Sequence, residues 1–194
     1  MESTTAIKKS RPVVRKAARA KAKRVLNIEK FGTATGKFVK RTSKLITRTD
    51  LDPLDYKELY LAQPVTRIDL IKKGLPAIYP MELSRSMGIS KELIFETLQL
   101  PRSTVDKKAA QKGTLPREQA ERVLGLGRLI GQVKVMVTQS GNPEGFDAAR
   151  WVAHWMAEPL PALGGKAPAE YMDTVEGQAM ISNLIAKMQS GAVA

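Results

Sequence analysis

The chain has 194 residues, 43% of them hydrophobic, no cysteine and a net charge of +13. That length and apolar content allow one domain or two small ones around a real core, while the missing cysteines exclude disulfides and thiol chemistry and fit a reducing compartment, the cytoplasm. No run of eighteen apolar residues occurs and the N-terminus lacks the apolar stretch of a secretory signal, so a membrane partner is not expected.

The charge is uneven. Residues 1–50 hold 15 Lys/Arg against Glu2, Glu29 and Asp50, a net +12, and residues 51–194 hold a net +1. This segment is expected to be a flexible, disordered basic arm (1–50). Ala/Lys/Arg repetition from Val13 to Val25 could turn helical on a polyanion, and Gly32 to Gly36 should stay loose. Such an arm displaces condensed counterions from nucleic acid without reading sequence. Phe31 and Phe38 are its only aromatics, too few for stacking on single strands, so duplex phosphate is the better target. An organellar transit peptide and a merely solubilising tail remain alternatives for the same composition.

From Asp50 onward the punctuation is helical, and the fold class is all-α with little or no sheet. Thr66-x-x-Asp69 has the spacing of a capping box, opening a helix that Gly74 stops. Pro80 opens a short helix closed by Gly88, and Ser90 caps another that carries Leu93, Ile94 and Leu98. Pro101 starts a fourth, running to about Lys112 with a stop at Gly113. A long helix from Pro116 sets Val123, Leu126, Ile130, Val133 and Val137 on one stripe and breaks at Ser140-Gly141-Asn142-Pro143. A helix over Phe146–Ala157 with Trp151 and Trp155 follows, then a Pro/Gly loop (158–166) and a last helix from Asp173 or Thr174. Gly177, Ile181, Leu184, Ile185 and Met188 share a face of that last helix. Gly127 and Gly131, one turn apart in the long helix, leave room for another helix, from within the chain or from a second protomer.

The pair over Gly88–Ala110 fits a helix-turn-helix. Its second helix would pack through Val105 and Ala109 and enter the major groove by its N-terminal end. Arg102, Ser103, Thr104, Lys107 and Lys108 are then the DNA-binding candidates, Arg102 for a guanine edge or a phosphate, the hydroxyls for either. Many such helix pairs bind proteins instead. Nothing in the chain resembles an active site. His154 is the single histidine, which makes zinc implausible. Gly164-Gly165-Lys166 lacks the hydroxyl and upstream glycine of a phosphate loop. No enzyme, cofactor or metal is expected.

Leu115-Pro116, Trp155, Pro161-Ala162-Leu163-Gly164-Gly165, Pro168, Asp173-Thr174, Gly177 and Gly191 form a pattern. In it, residues 115–194 resemble the toxin-binding family of Xre/MbcA/ParS-type antitoxins, and Thr66–Ala110 looks like the Xre-type helix-turn-helix that accompanies it. The chain departs at Leu160, where the family usually has Asn. The resemblance implies a helical DNA-binding region (51–138), a toxin-binding domain (139–194) and a RES-domain toxin as partner, a class that degrades NAD or transfers ADP-ribose from it. It further implies that the C-terminal module blocks the toxin's cleft, with Leu163, Gly164, Gly165, Lys166 and Gly191 as the neutralising surface. The DNA-binding part would repress the shared operon through double-stranded operator DNA, in a homodimer or a higher complex with toxin. A plain DNA-binding regulator or architectural protein without a toxin is the alternative.

Overall fold

The computed structural model describes residues 51–141 and 143–190. The basic arm, Asn142 and Gly191 lie outside them. Among the described residues the chain forms helices and no strands, with isolated bridges at Pro76–Thr114 and Leu160–Lys166.

Helix α1 (Tyr56–Leu61) is capped by Asp55, whose carboxylate accepts from the Glu58 N–H at 3.2 Å; the sequence patterns predict no helix there. Helix α2 (Pro64–Lys73) begins two residues before the expected capping box, with Pro64 at a position where a missing N–H costs nothing. Thr66 therefore lies inside the first turn, and no side chain caps the helix. Gly74 ends it with φ 98°. Helix α3 (Tyr79–Met87) closes at Gly88, left-handed at φ 69°, where the Ile89 N–H reaches the Ser84 carbonyl in a Schellman arrangement. Ser90 caps α4 (Lys91–Thr97), accepting from the Leu93 N–H at 3.1 Å.

Helix α5 (Arg102–Ala110) stops earlier than its sequence pattern predicts. Lys112, not Gly113, takes the left-handed position (φ 53°), and the Gly113 N–H closes the turn on the Lys108 carbonyl. The long helix is α6 (Arg117–Gln139). Helix α7 (Ala148–Ala157) excludes Phe146, because Asp147 accepts from the Ala149 and Arg150 N–H groups and fixes the start two residues later. Thr174 caps α8 (Val175–Gln189) through the Gly177 N–H at 3.0 Å.

Helix α6 is the floor on which the rest is laid. On one side α1 crosses it so closely that a Cβ on Gly131 would collide with the Tyr56 carbonyl, and one on Gly127 would press on Leu59. The two glycines thus admit a helix of the same chain. Arg67 of α2 ties down the end of α1 by donating to the carbonyls of Leu59, Tyr60 and Ala62. Along another face α8 docks by shape and by polar pairing. The Gln178 side chain fills the space over Gly125 and donates to the Arg122 and Met172 carbonyls at 3.0 and 2.8 Å. The Gln132 amide donates to the Ser182 carbonyl at 2.9 Å, and the Ser182 hydroxyl donates back to Gln132 at 2.6 Å. Helix α7 packs on α3 and α6 through Val152, Trp155 and Met156, with Trp151 stacked on Trp155 at 5.8 Å. Buried side chains from Leu59 and Leu83 through Val105, Leu126 and Ile130 to Ile181 and Ile185 form one continuous cluster.

Candidate functional site

Two exposed features stand on this frame. The first is the α4–turn–α5 unit. Leu98 ends α4, Gln99 turns the chain in the left-handed region (φ 47°), Leu100 drops into the core and Pro101 sets the start of α5. A left-handed non-glycine residue is uncommon; here the Leu100 N–H closes on the Phe95 carbonyl at 2.7 Å, and the Gln99 amide donates to the Glu96 carbonyl at 3.0 Å. Val105 is fully buried and holds α5 to the core from inside. From outside, Lys91 pairs with Asp106 at 3.0 Å and Arg102 with Glu92 at 3.3 Å, both across the two helices.

The helix therefore presents Arg102, Ser103 and Thr104 to solvent in its first turn and Lys107 in its last. Lys108 differs: it is half-buried, and its ammonium donates to the Thr114 carbonyl at 3.2 Å. Sequence reasoning misses Glu92 and the Lys91–Asp106 pair. Their partners lie ten or more residues away on another helix, beyond the reach of any spacing rule within one helix.

The second feature is the loop after α7. Pro161–Leu163 makes a 3-10 turn, then Gly164 and Gly165 are left-handed at φ 67° and 84°. The Leu160 N–H donates to the Lys166 carbonyl and the Gly165 N–H to the Leu160 carbonyl, each at 3.0 Å, so the loop is closed on itself. A Cβ at either glycine would meet nothing within 4 Å, which leaves bare backbone at an exposed tip. Lys166 is exposed beside it, 6.0 Å from the centre of the Tyr171 ring. Leu163 and Leu160 are half-buried and lean on the core. The tip thus presents Gly164, Gly165 and Lys166, while Leu163 anchors it. His154 lies on the exposed side of α7, 3.3 Å from Glu158. Among the described residues no three acidic or histidine side chains converge as for a metal ion, and no helix is long and apolar enough to cross a membrane.

The class this architecture defines is a helix-turn-helix joined through α6 to a helical module with an exposed Gly-Gly tip. Residues 66–128 match the antitoxin Xre-like helix-turn-helix domain, and residues 145–191 match the antitoxin Xre/MbcA/ParS C-terminal toxin-binding domain. The chain belongs to this antitoxin family. It is 46% identical over 142 residues to the Prs ADP-ribosylating antitoxin of Sphingobium sp. (strain YBL2), a match that spans 73% of this chain and 89% of that relative.

Proposed function

We propose that this antitoxin neutralises a RES-type, NAD-consuming toxin through residues 139–194 and represses its own operon through the helix-turn-helix of residues 51–138. It would act in the cytoplasm, as a homodimer or a higher complex with toxin, without enzymatic activity of its own. What supports this reading is the match of both modules to the antitoxin family, together with a likeness over 73% of the chain to a relative whose name joins an antitoxin to ADP-ribosylation of Prs. ADP-ribosyl transfer draws on NAD, the chemistry that the family resemblance implies for the toxin. The tip of Gly164, Gly165 and Lys166 offers unshielded backbone and one cation, which suits insertion into a narrow, polar cleft.

The test is co-expression with the toxin encoded beside this gene. Gly164→Trp and Gly165→Trp place bulk at the tip but also force a left-handed conformation on an L residue, a strain of about 1–2 kcal/mol. Lys166→Glu carries no such strain and is therefore the companion variant. All three should fail to preserve cellular NAD, yet bind operator DNA as the parent does. Full protection by all three would move the neutralising surface elsewhere on the module. Absence of any toxin that the parent binds would leave the chain a plain regulator.

A further inference from the structure

A groove of about 520 Å³ runs between α2 and the first half of α8, with α6 as its base. That is the size of a small-molecule site, for which pockets of about 300–1,000 Å³ are usual. Ile68, Ile71, Leu124 and Val175 make its walls apolar. Ile68 and Val175 stay 47% and 59% exposed, apolar surface that gains from being covered. The walls come from both matched segments, Ile68, Ile71 and Leu124 from residues 66–128 and Val175 from residues 145–191. An occupant would touch the helix-turn-helix part and the C-terminal module at once.

Two guanidiniums, Arg67 and Arg128, line the same groove. Arg67 donates to carbonyls of α1 through Nη1, but carbonyls bring no net charge to offset its own. Arg128 is exposed and forms no hydrogen bond or ion pair among the described residues. Burial, and then the nearby Arg128, push the Arg67 pKa down. Glu121 is the lone carboxylate in the lining, seven residues from Arg128 on α6, or about 10 Å along the helix axis. Positive charge is therefore in excess at one end of an apolar groove.

The occupant that complements this has a negative group at one end and an apolar body behind it. A carboxylate suits the guanidiniums, since the two groups meet as planar forks. The Asn183 amide in the same lining can add a further donor. Residues 1–50, with 15 Lys/Arg against three acids, are repelled by the arginines. DNA brings phosphates but nothing for the apolar walls.

We propose that the groove binds a small organic acid, its carboxylate on Arg128 and Arg67 and its apolar body on Ile71, Leu124 and Val175. The site is independent of the toxin and of the operator in the functional reading.

The test is an NMR chemical-shift titration of the full chain with phenylbutyrate and with decanoate, circular dichroism melts verifying that each variant folds. Both acids should saturate, with shifts grouped on α2, α6 and the first half of α8. The neutral phenylbutanamide should bind about fivefold more weakly or worse, and Arg128→Gln should cost phenylbutyrate a similar factor. Acetate, which lacks the body, should not saturate. Ala179 also lines the groove, and Ala179→Phe should abolish binding by filling it. Should that variant unfold the chain, Val175→Glu at the exposed start of α8 removes an apolar wall and adds a repelling charge. An amide that binds as well as the acid overturns the proposal, as do shifts grouped elsewhere or no saturation by either acid. If neither acid binds but Arg128→Gln weakens capture of the toxin, the groove is a protein-binding surface and the small-molecule site falls.

Discussion

The Arg102–Glu92 pair gives the proposed reading helix a resting state. At 3.3 Å between two side chains that are each about half exposed, the contact is worth little, roughly 0–1 kcal/mol, and a phosphate or guanine edge competes for the guanidinium readily. Removing Arg102 does two things at once: it deletes a donor and leaves the Glu92 carboxylate facing the DNA. Arg102→Ala should therefore cost about 1–3 kcal/mol at the operator and clearly less on random duplex. Glu92→Ala should tighten binding to both DNAs, since it takes a negative charge away from the phosphates. Anisotropy titrations of both single variants and the double, at one salt concentration, separate the pair from the base contact. Equal losses on operator and random duplex for Arg102→Ala would reduce it to a phosphate contact.

At the scale of elements, Gly131 sets two effects against each other. In a helix interior, Gly→Ala gains about 1 kcal/mol from propensity. Here the added Cβ runs into the Tyr56 backbone, and overpacking against backbone costs about 1–3 kcal/mol or more. Sterics win, so Gly131→Ala should lower stability in urea melts. Gly125→Ala meets the end of the Gln178 side chain instead, which can move at the expense of hydrogen bonds worth about 1 kcal/mol each, so its net loss should be the smaller of the two. A rise in stability for Gly131→Ala would mean that α1 does not cross there.

The same helix shows how far local chemistry reaches. Ser90, Thr174, Gly88 and the Pro116 start announce their helices in the sequence, because caps and stops depend on near neighbours alone. At six residues α1 is too short for a hydrophobic period, and it is held by Arg67 and the α6 glycines, which are tertiary contacts. Its traces in the sequence are the Asp55 cap and the gap left for it at Gly127 and Gly131. The exposed run Arg102–Thr104 and the Gly164-Gly165 tip are equally legible. The inward lean of Leu163 and the bond from Lys108 to the Thr114 backbone depend on how the chain folds back on itself.

For the whole molecule, the described residues hold a continuous buried cluster of their own and the arm's charge is nearly all of one sign. Deleting residues 1–50 should leave the remainder melting in a single transition. It should also weaken operator and random duplex alike and flatten the dependence of log K on log salt, by about 0.9 for each phosphate that the arm neutralises. Loss of cooperative melting would place part of the fold in the arm. Because α6 is the floor for both α1 and α8 and the buried residues form one cluster, global opening exposes both ends of the chain together. Degradation that proceeds through that open form, with opening fast relative to cleavage, follows the global equilibrium. A ligand held at either end depletes the open form of the entire chain. Occupancy of the protein-binding end would thus set the turnover of the DNA-binding end, so the lifetime of repression would track how much partner is present to be held.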